Sequence, residues 1–482
     1  MSLLFADTGA VFTFGRSSFA LNVPSKFWLK NDRPGQISCG AEHTAVVTEN
    51  GRLVVFGSNT HGQLGLGFKP ATSKPASVKA FRSEKVKLVA CGRDHTIICT
   101  YGGGVYGAGS NRDGQLGLGH CSSTSSFHPL RPFCGRTPIK MLSAGCSTSA
   151  ALTEDGRLFM WGDNSAGQIG LGGEGFAAEP RQVDVGEAVT WVSCGYRHSA
   201  LVTATGHLYT FGESANGRLG LREEQLSLHR VPQQVQGIVG RVSRVCCGGA
   251  HTVALTGSDL YTFGRGQYGQ LGHGTFLFEV DSPKPWSFIT SISQTCLHFF
   301  IYFDLCCLCL TAAALPPDGG LLYTFGDGRH GKLGFGEENF INQFSPTLCT
   351  RFLQYDVQAV SCGGHHMLVV AAPRRPHSGD VVPEKDVLIT DRLLEPGLSE
   401  LLWRETLIDP SSLVSAVSAR ARRREKVRKF FVSTDGSCVQ SDFRERRFLQ
   451  SLSKALNPQI HRPCWEEPDQ TSVKTRFTAV LA

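Results

Sequence analysis

No Gly-X-Y period accompanies the 55 glycines of this 482-residue chain, and its 22 prolines are no enrichment, which excludes a collagen-like fold. Formal charge is scarce as well, at +7 for the whole chain. From Val381 onward 17 Lys and Arg stand against 14 Asp and Glu, leaving about +4 for the first 380 residues. That field is too weak for a phosphate-binding footprint, so no nucleic acid is expected as a partner. The N-terminus, MSLLFADTG, has neither the basic start nor the apolar stretch of a signal peptide. TAVLA at the other end offers no prenylatable cysteine, and Ser2 excludes myristoylation. The expectation is an intracellular, reduced protein whose 17 cysteines, an odd number, serve as small buried hydrophobes. No hydrolytic triad or paired-carboxylate signature stands out.

What the chain has is a repeat. One mark is an aromatic–glycine strand end leading into a glycine-rich segment, as in FGSNTHGQLGLG, WGDNSAGQIGLG and FGDGRHGKLGFG. Its leading glycines are Gly57, Gly109, Gly162, Gly212, Gly264 and Gly326, spaced by 52, 53, 50, 52 and 62 residues. A partial copy, VFTFGRSSF, ends its strand at Gly15. The second mark is Cys-Gly-x-x-His followed by Thr, Ser or a hydrophobe. It occurs at Cys39-Gly40 with His43, Cys91-Gly92 with His95, and Cys194-Gly195 with His198. It returns at Cys247-Gly248 with His251 and at Cys362-Gly363 with His366, and a degenerate copy, AGCSTS, starts at Ala144. Alternating segments join the marks through Asn50-Gly51, Asp155-Gly156 and Asp318-Gly319, which are hairpin signals.

Each period therefore predicts a four-stranded sheet that cannot bury both faces alone, so copies must stack. Seven copies fit an all-β, seven-bladed β-propeller over residues 1–375. The strand GAVFTFG is expected to complete the last blade and close the ring. Residues 376–482 read as a linker and a basic, mostly flexible, partly disordered tail.

The pattern CGxxHT…DGxLYxFGxNxxGQLGLG resembles the regulator-of-chromosome-condensation repeat family, a family of seven-bladed propellers. GAVFTFG, KFWLKND, ACGRDHT, SAALTEDGRLFMWGDN and YTFGDGRHGKLGFG resemble a ciliary branch of it, over roughly residues 7–375. VSARARRRE, at Val417–Glu425, is a weaker echo of the segment that follows the propeller in that branch. The resemblance implies a non-enzymatic interaction scaffold controlling ciliary protein traffic, including at the photoreceptor connecting cilium. Implied partners are a ciliary transition-zone scaffold protein, the prenyl-binding delta subunit of phosphodiesterase and Rab-type small GTPases. The implied location is cytoplasmic, at the cilium base, transition zone and basal body. The alternative it carries is guanine-nucleotide exchange on a Rab-type GTPase. The exchange factor of the family works through a polar wedge inserted in a blade and binds chromatin through a basic N-terminal arm, and neither is evident here. Other members sense ultraviolet light with a tryptophan cluster; of the six Trp here only Trp28, Trp161 and Trp191 lie in clean repeat.

FITSISQTCLHFFIYFDLCCLCLTAAAL, at Phe288–Leu315, breaks the pattern. In register, Cys306 falls in the cysteine slot, with Cys307 for Gly and Leu310 for His. As a membrane span it would put the last repeat across the bilayer from the first five and prevent closure, so no integral span is expected. As an inner strand it is too long and lacks alternation. Good repeat on both sides favours a foreign segment over about residues 286–310, from a splice variant or a misjoined gene model.

Two chemical readings have bland counterparts. GRGQYG at Gly264 and GDGRHG at Gly326 spell a dinucleotide fingerprint, but equivalent slots read GSNTHG and GESANG, and no βαβ unit follows. Cys-x-x-x-His once per period puts the pairs around a ring and not in a four-ligand cluster. These residues are read as structural, each histidine bonding neighbouring backbone, with no metal, cofactor or catalytic residue expected. Arg420–Lys429, with seven basic residues in ten, is either a localisation or acidic-partner patch or a solvated segment.

Overall fold

The computed structural model of the chain describes residues 9–16, 25–29, 32–69, 71–133, 138–173, 175–257, 259–276, 278–286, 311–314, 320–336 and 339–374. The chain divides into two units, Met1–Arg392 and Leu393–Ala482, and every described residue lies in the first. Residues 287–310, the Asp318-Gly319 turn and the tail with its Arg420–Lys429 segment lie outside them.

The first repeat shows how local sequence makes a blade. Its strands Pro34–Cys39, His43–Thr48, Leu53–Gly57 and Thr72–Ser77 pair antiparallel in that order. Between the second and third strands Gly51 takes φ +76°, a left-handed geometry that glycine enters without strain. Its carbonyl then accepts the N–H of Val86, the first residue of the next blade, at 2.9 Å. The second strand is buried at every position, and the fourth is largely exposed.

Among the described residues the strands form six four-stranded sheets and one three-stranded sheet. The fold is an all-β propeller, and among the described residues six blades are complete, not the seven alike ones expected. The remaining sheet pairs Thr311–Ala314, Tyr323–Gly326 and Gln343–Leu348. No strand before Thr311–Ala314 joins this sheet among the described residues. The last sheet joins the two ends of the propeller, because Ala10–Gly15 pairs with His366–Pro373 from Ala10↔Ala371 to Gly15↔His366.

The core lies between blades. Val47, Leu53 and Val55 of the first blade pack with Val86, Val89 and Ile98 of the second, all buried. The aromatic of each aromatic–glycine mark, Phe14, Phe56, Trp161, Phe211, Phe263 and Phe325, is at most 1% exposed. Each such burial contributes about 1.5–3 kcal/mol. The QLG glycine of the preceding blade makes room for it: a Cβ on Gly170 would lie 3.0 Å from the Phe211 ring.

Candidate functional site

The Cys-Gly-x-x-His turns gather around the propeller axis. In the first blade Gly40 N–H donates to the His43 carbonyl at 2.8 Å, closing a tight turn with the imidazole folded over the glycine. A Cβ on Gly40 would stand 2.2 Å from His43 Cε1, and the same collision recurs at Gly92, Gly195, Gly248 and Gly363. The turns also bond one another in sequence: Ala41 N–H to Arg93 O, Arg93 N–H to Gly145 O, Cys146 N–H to Gly195 O and Tyr196 N–H to Gly248 O. Gly364 N–H to Gly40 O continues the series across the closure.

Through Nε2, three of the histidines reach hydroxyl side chains of the next blade, partners that the sequence reading did not name. His43 Nε2 lies 2.9 Å from Thr96 Oγ1, His95 Nε2 2.9 Å from Ser149 Oγ, and His198 Nε2 2.9 Å from Thr252 Oγ1. These three hydroxyls donate their protons to the carbonyls of Gln63, Gln115 and Arg218. Each Nε2 must therefore carry the hydrogen and donate it. Burial holds His43 down to about 3 and His95, His251 and His366 to about 4, so the rings are neutral. Burial raises the Cys194 thiol to about 11 and Cys247 well above its ordinary value. A thiol so protonated beside a neutral imidazole is no nucleophile. Cys91, Cys194 and Cys247 offer instead their backbone N–H groups to Ser38, Ser143 and Ser193 of the preceding blade. Among the described residues no three His, Cys, Asp or Glu side chains assemble as metal ligands.

The three-stranded sheet corrects the register expected for the sixth repeat. Thr311 pairs with Gly326, the position that histidine takes opposite Gly57, Gly212 and Gly264. Ala312 follows it at the register position of the hydroxyl residue, and among the described residues His251 Nε2 is buried without a hydrogen-bond partner. The hydroxyl is the Thr or Ser that follows His43, His95, His198 and His251, a residue noted in the repeat mark but given no role there, and Met367 stands in its place after His366.

Chemistry that varies from blade to blade sits just outside this constant ring. The residue after each aromatic–glycine mark bonds the residue before the histidine of its own blade, as in Ser58 N–H to Glu42 O and Glu213 N–H to Arg197 O. Ser110 with Asp94, Arg265 with Ala250 and Arg16 with His365 repeat the geometry. The backbone is shared, and the side chains run from acidic in the first two blades to cationic near the closure. Glu213 is shared by Arg218 at 2.9 Å and Arg197 at 3.3 Å. Asp327 is shared by Arg329 and Lys332, each at 2.9 Å. Burial pushes Asp327 up, but hydrogen bonds from Arg329 and the charge of Lys332 outweigh it and hold the carboxyl at about 2. The leading glycines are what bring these residues so close: Gly57 has φ +111°, and a Cβ there would lie 2.4 Å from Glu42 O.

The regulator of chromosome condensation (RCC1) repeat family matches residues 50–99, 102–152, 155–202, 205–255, 258–297 and 319–370. The chain is 55% identical over 426 residues to the mouse X-linked retinitis pigmentosa GTPase regulator, covering 88% of this chain and 41% of that protein. It thus spans well under half the length of that relative. The Arabidopsis ultraviolet-B receptor UVR8 is 33% identical over 404 residues, covering 80% of this chain and 76% of the receptor. Among solved structures, human WBSCR16 superposes with a TM-score of 0.67 at 23% identity, over 76% of this chain and 99% of that one, a likeness of fold. The repeat marks, the inter-blade imidazole bonds they build and these matches together place the chain in the regulator of chromosome condensation (RCC1) repeat family.

Proposed function

We propose that this chain is a non-enzymatic interaction scaffold that regulates ciliary protein traffic at the transition zone and connecting cilium through small-GTPase-linked partners. Its partners in this reading are a ciliary transition-zone scaffold protein, the prenyl-binding delta subunit of phosphodiesterase and Rab-type small GTPases. Its place is the cytoplasm at the cilium base and basal body. The observation that carries the reading is a mouth whose backbone repeats while its side chains change from blade to blade, which suits several docked proteins better than one reaction. The 55% identity to a protein described as a GTPase regulator supports the partner class. In this reading the propeller occupies residues 1–375 with the three-stranded sheet as its interrupted sixth blade. The Cys, Gly and His of the repeat marks are architectural.

Catalysed guanine-nucleotide exchange on a Rab-type GTPase is the second reading, favoured by the same relative's description. Full-length protein, assayed for release of labelled GDP from Rab-type GTPases and used for affinity capture from ciliated cells, separates the two. Stimulated release would replace the scaffold reading with exchange. Capture that returns neither a ciliary scaffold nor the prenyl-binding protein would remove the trafficking role. Among the described residues no helix is long and apolar enough to cross a membrane.

A further inference from the structure

The mouth is electrically lopsided. Glu213 and Asp327 each hold two cations, so each cluster keeps a net positive charge. Arg16 and Arg265 add to it with no carboxylate ion pair among the described residues; Arg265 bonds the neutral Gln267. Glu279 and Asp281, on the outer strand Glu279–Pro285, and Glu42, whose charge acts on His365, are counterweights, and Glu279 interacts with Arg218. His330 and His365 stack edge to face at 5.5 Å within the same sector. Burial, and then the nearby cations Arg16, Lys332 and Arg329, lower His330 against the opposing charge of Asp327.

The same sector exposes apolar surface. Arg329 lies 5.4 Å over the Tyr268 ring, and its side chain is 56% exposed. Phe340 sets its ring edge over Gly331, and Ile341 closes against Gly328, so both adjoin the Arg329-His330 turn. They remain 44% and 53% exposed. His330 reaches this surface with φ +64°, a left-handed conformation costly for a residue with a Cβ. Cations, aromatics and aliphatics thus share one continuous surface, the composition that interface cores favour.

We propose that this surface docks an extended acidic segment of a partner protein, with apolar side chains set between its carboxylates. Asp327 holds the Nε and Nη2 groups of Arg329 with the guanidinium over the Tyr268 ring, which leaves Nη1 pre-positioned for a partner carboxylate, and Phe340 and Ile341 take the apolar side chains. A nucleic acid fits less well. Asp327 and Glu213 stand among the cations and repel a continuous phosphate backbone, while spaced carboxylates pass between them. The inference deepens the scaffold reading and rests on it for the premise that the mouth binds proteins.

The test uses full-length protein and a fluorescein-labelled peptide of repeated Glu-Phe-Asp-Leu units in an anisotropy titration. Expected results are saturable binding, weakened by salt, and an affinity about tenfold lower for R329E and for F340S. R181E, on the outer strand of the third blade, leaves affinity unchanged. Should R329E also lower the melting temperature, F340S still decides, because it removes no charge from the Asp327 cluster. Equal binding of a Lys-for-acid peptide overturns the proposal. So does an unchanged affinity in both variants, or tighter binding of a single-stranded oligonucleotide than of the peptide. None of these outcomes depends on GTPase release or on capture from ciliated cells, so this surface and the scaffold reading fail separately.

Discussion

His366 Nε2 and Thr44 Oγ1, 322 positions apart, lie 2.9 Å from each other and tie the closing blade to the first. The contact reproduces across the closure the bond that His43 makes to Thr96 within the chain. A single rule therefore links consecutive blades and the two ends of the propeller.

Replacing Thr44 by valine keeps the volume and removes the hydroxyl, leaving a fully buried imidazole unpaired. The expected cost is about 1–3 kcal/mol. Urea unfolding of T44V should show a lower midpoint at an unchanged slope. A variant as stable as the parent shows that this bond does not hold the closure.

Acid should weaken the propeller well before its carboxylates titrate. Folded, the ring of His43 protonates at about 3 and those of His95, His251 and His366 at about 4, whereas the unfolded chain takes up these protons near 6.5. Between those values the unfolded state binds more protons. Stability is therefore full above about pH 6.5 and falls by about 1.4 kcal/mol per pH unit per ring as pH drops, levelling off only near pH 3–4. Denaturant titrations at pH 7.5, 6.5 and 5.5 read the slope. A flat profile across that range contradicts neutral buried rings.

Lys332 is 2% exposed and relies on Asp327. D327S alone leaves a buried ammonium uncompensated and should cost about 3–5 kcal/mol. The double variant D327S/K332Q installs the Ser58 and Gln63 chemistry of the first blade and should recover most of that loss. A double-mutant cycle measures the recovery, and additive losses would mean the two residues are not a unit.

The period, the hairpin turns and the closing strand were legible in the sequence because each depends on residues close along the chain. Asn50-Gly51 specifies its turn whatever surrounds it, and GAVFTFG carries the alternation of a third strand. The register at Thr311 was not legible. A break in the repeat left cysteine spacing as the only guide, and pairing with Gly326 puts Thr311, not Leu310, in the histidine slot. The sharing of Asp327 by Arg329 and Lys332 was equally hidden, although the three residues lie within one short loop. Only the folded turn brings them together.

The sequence by itself determined the unit: a sheet of about 52 residues with glycines where a Cβ would collide, repeated often enough to require a ring. The tertiary structure alone decided what each unit bonds to. Imidazole partners lie one blade away along the chain or at its far end, and the cationic sector gathers residues from Arg16 to His365. The physical reason is reach. Turn and strand preferences act over a few residues, whereas the partner of a buried polar group is whatever the closed ring brings within hydrogen-bond distance.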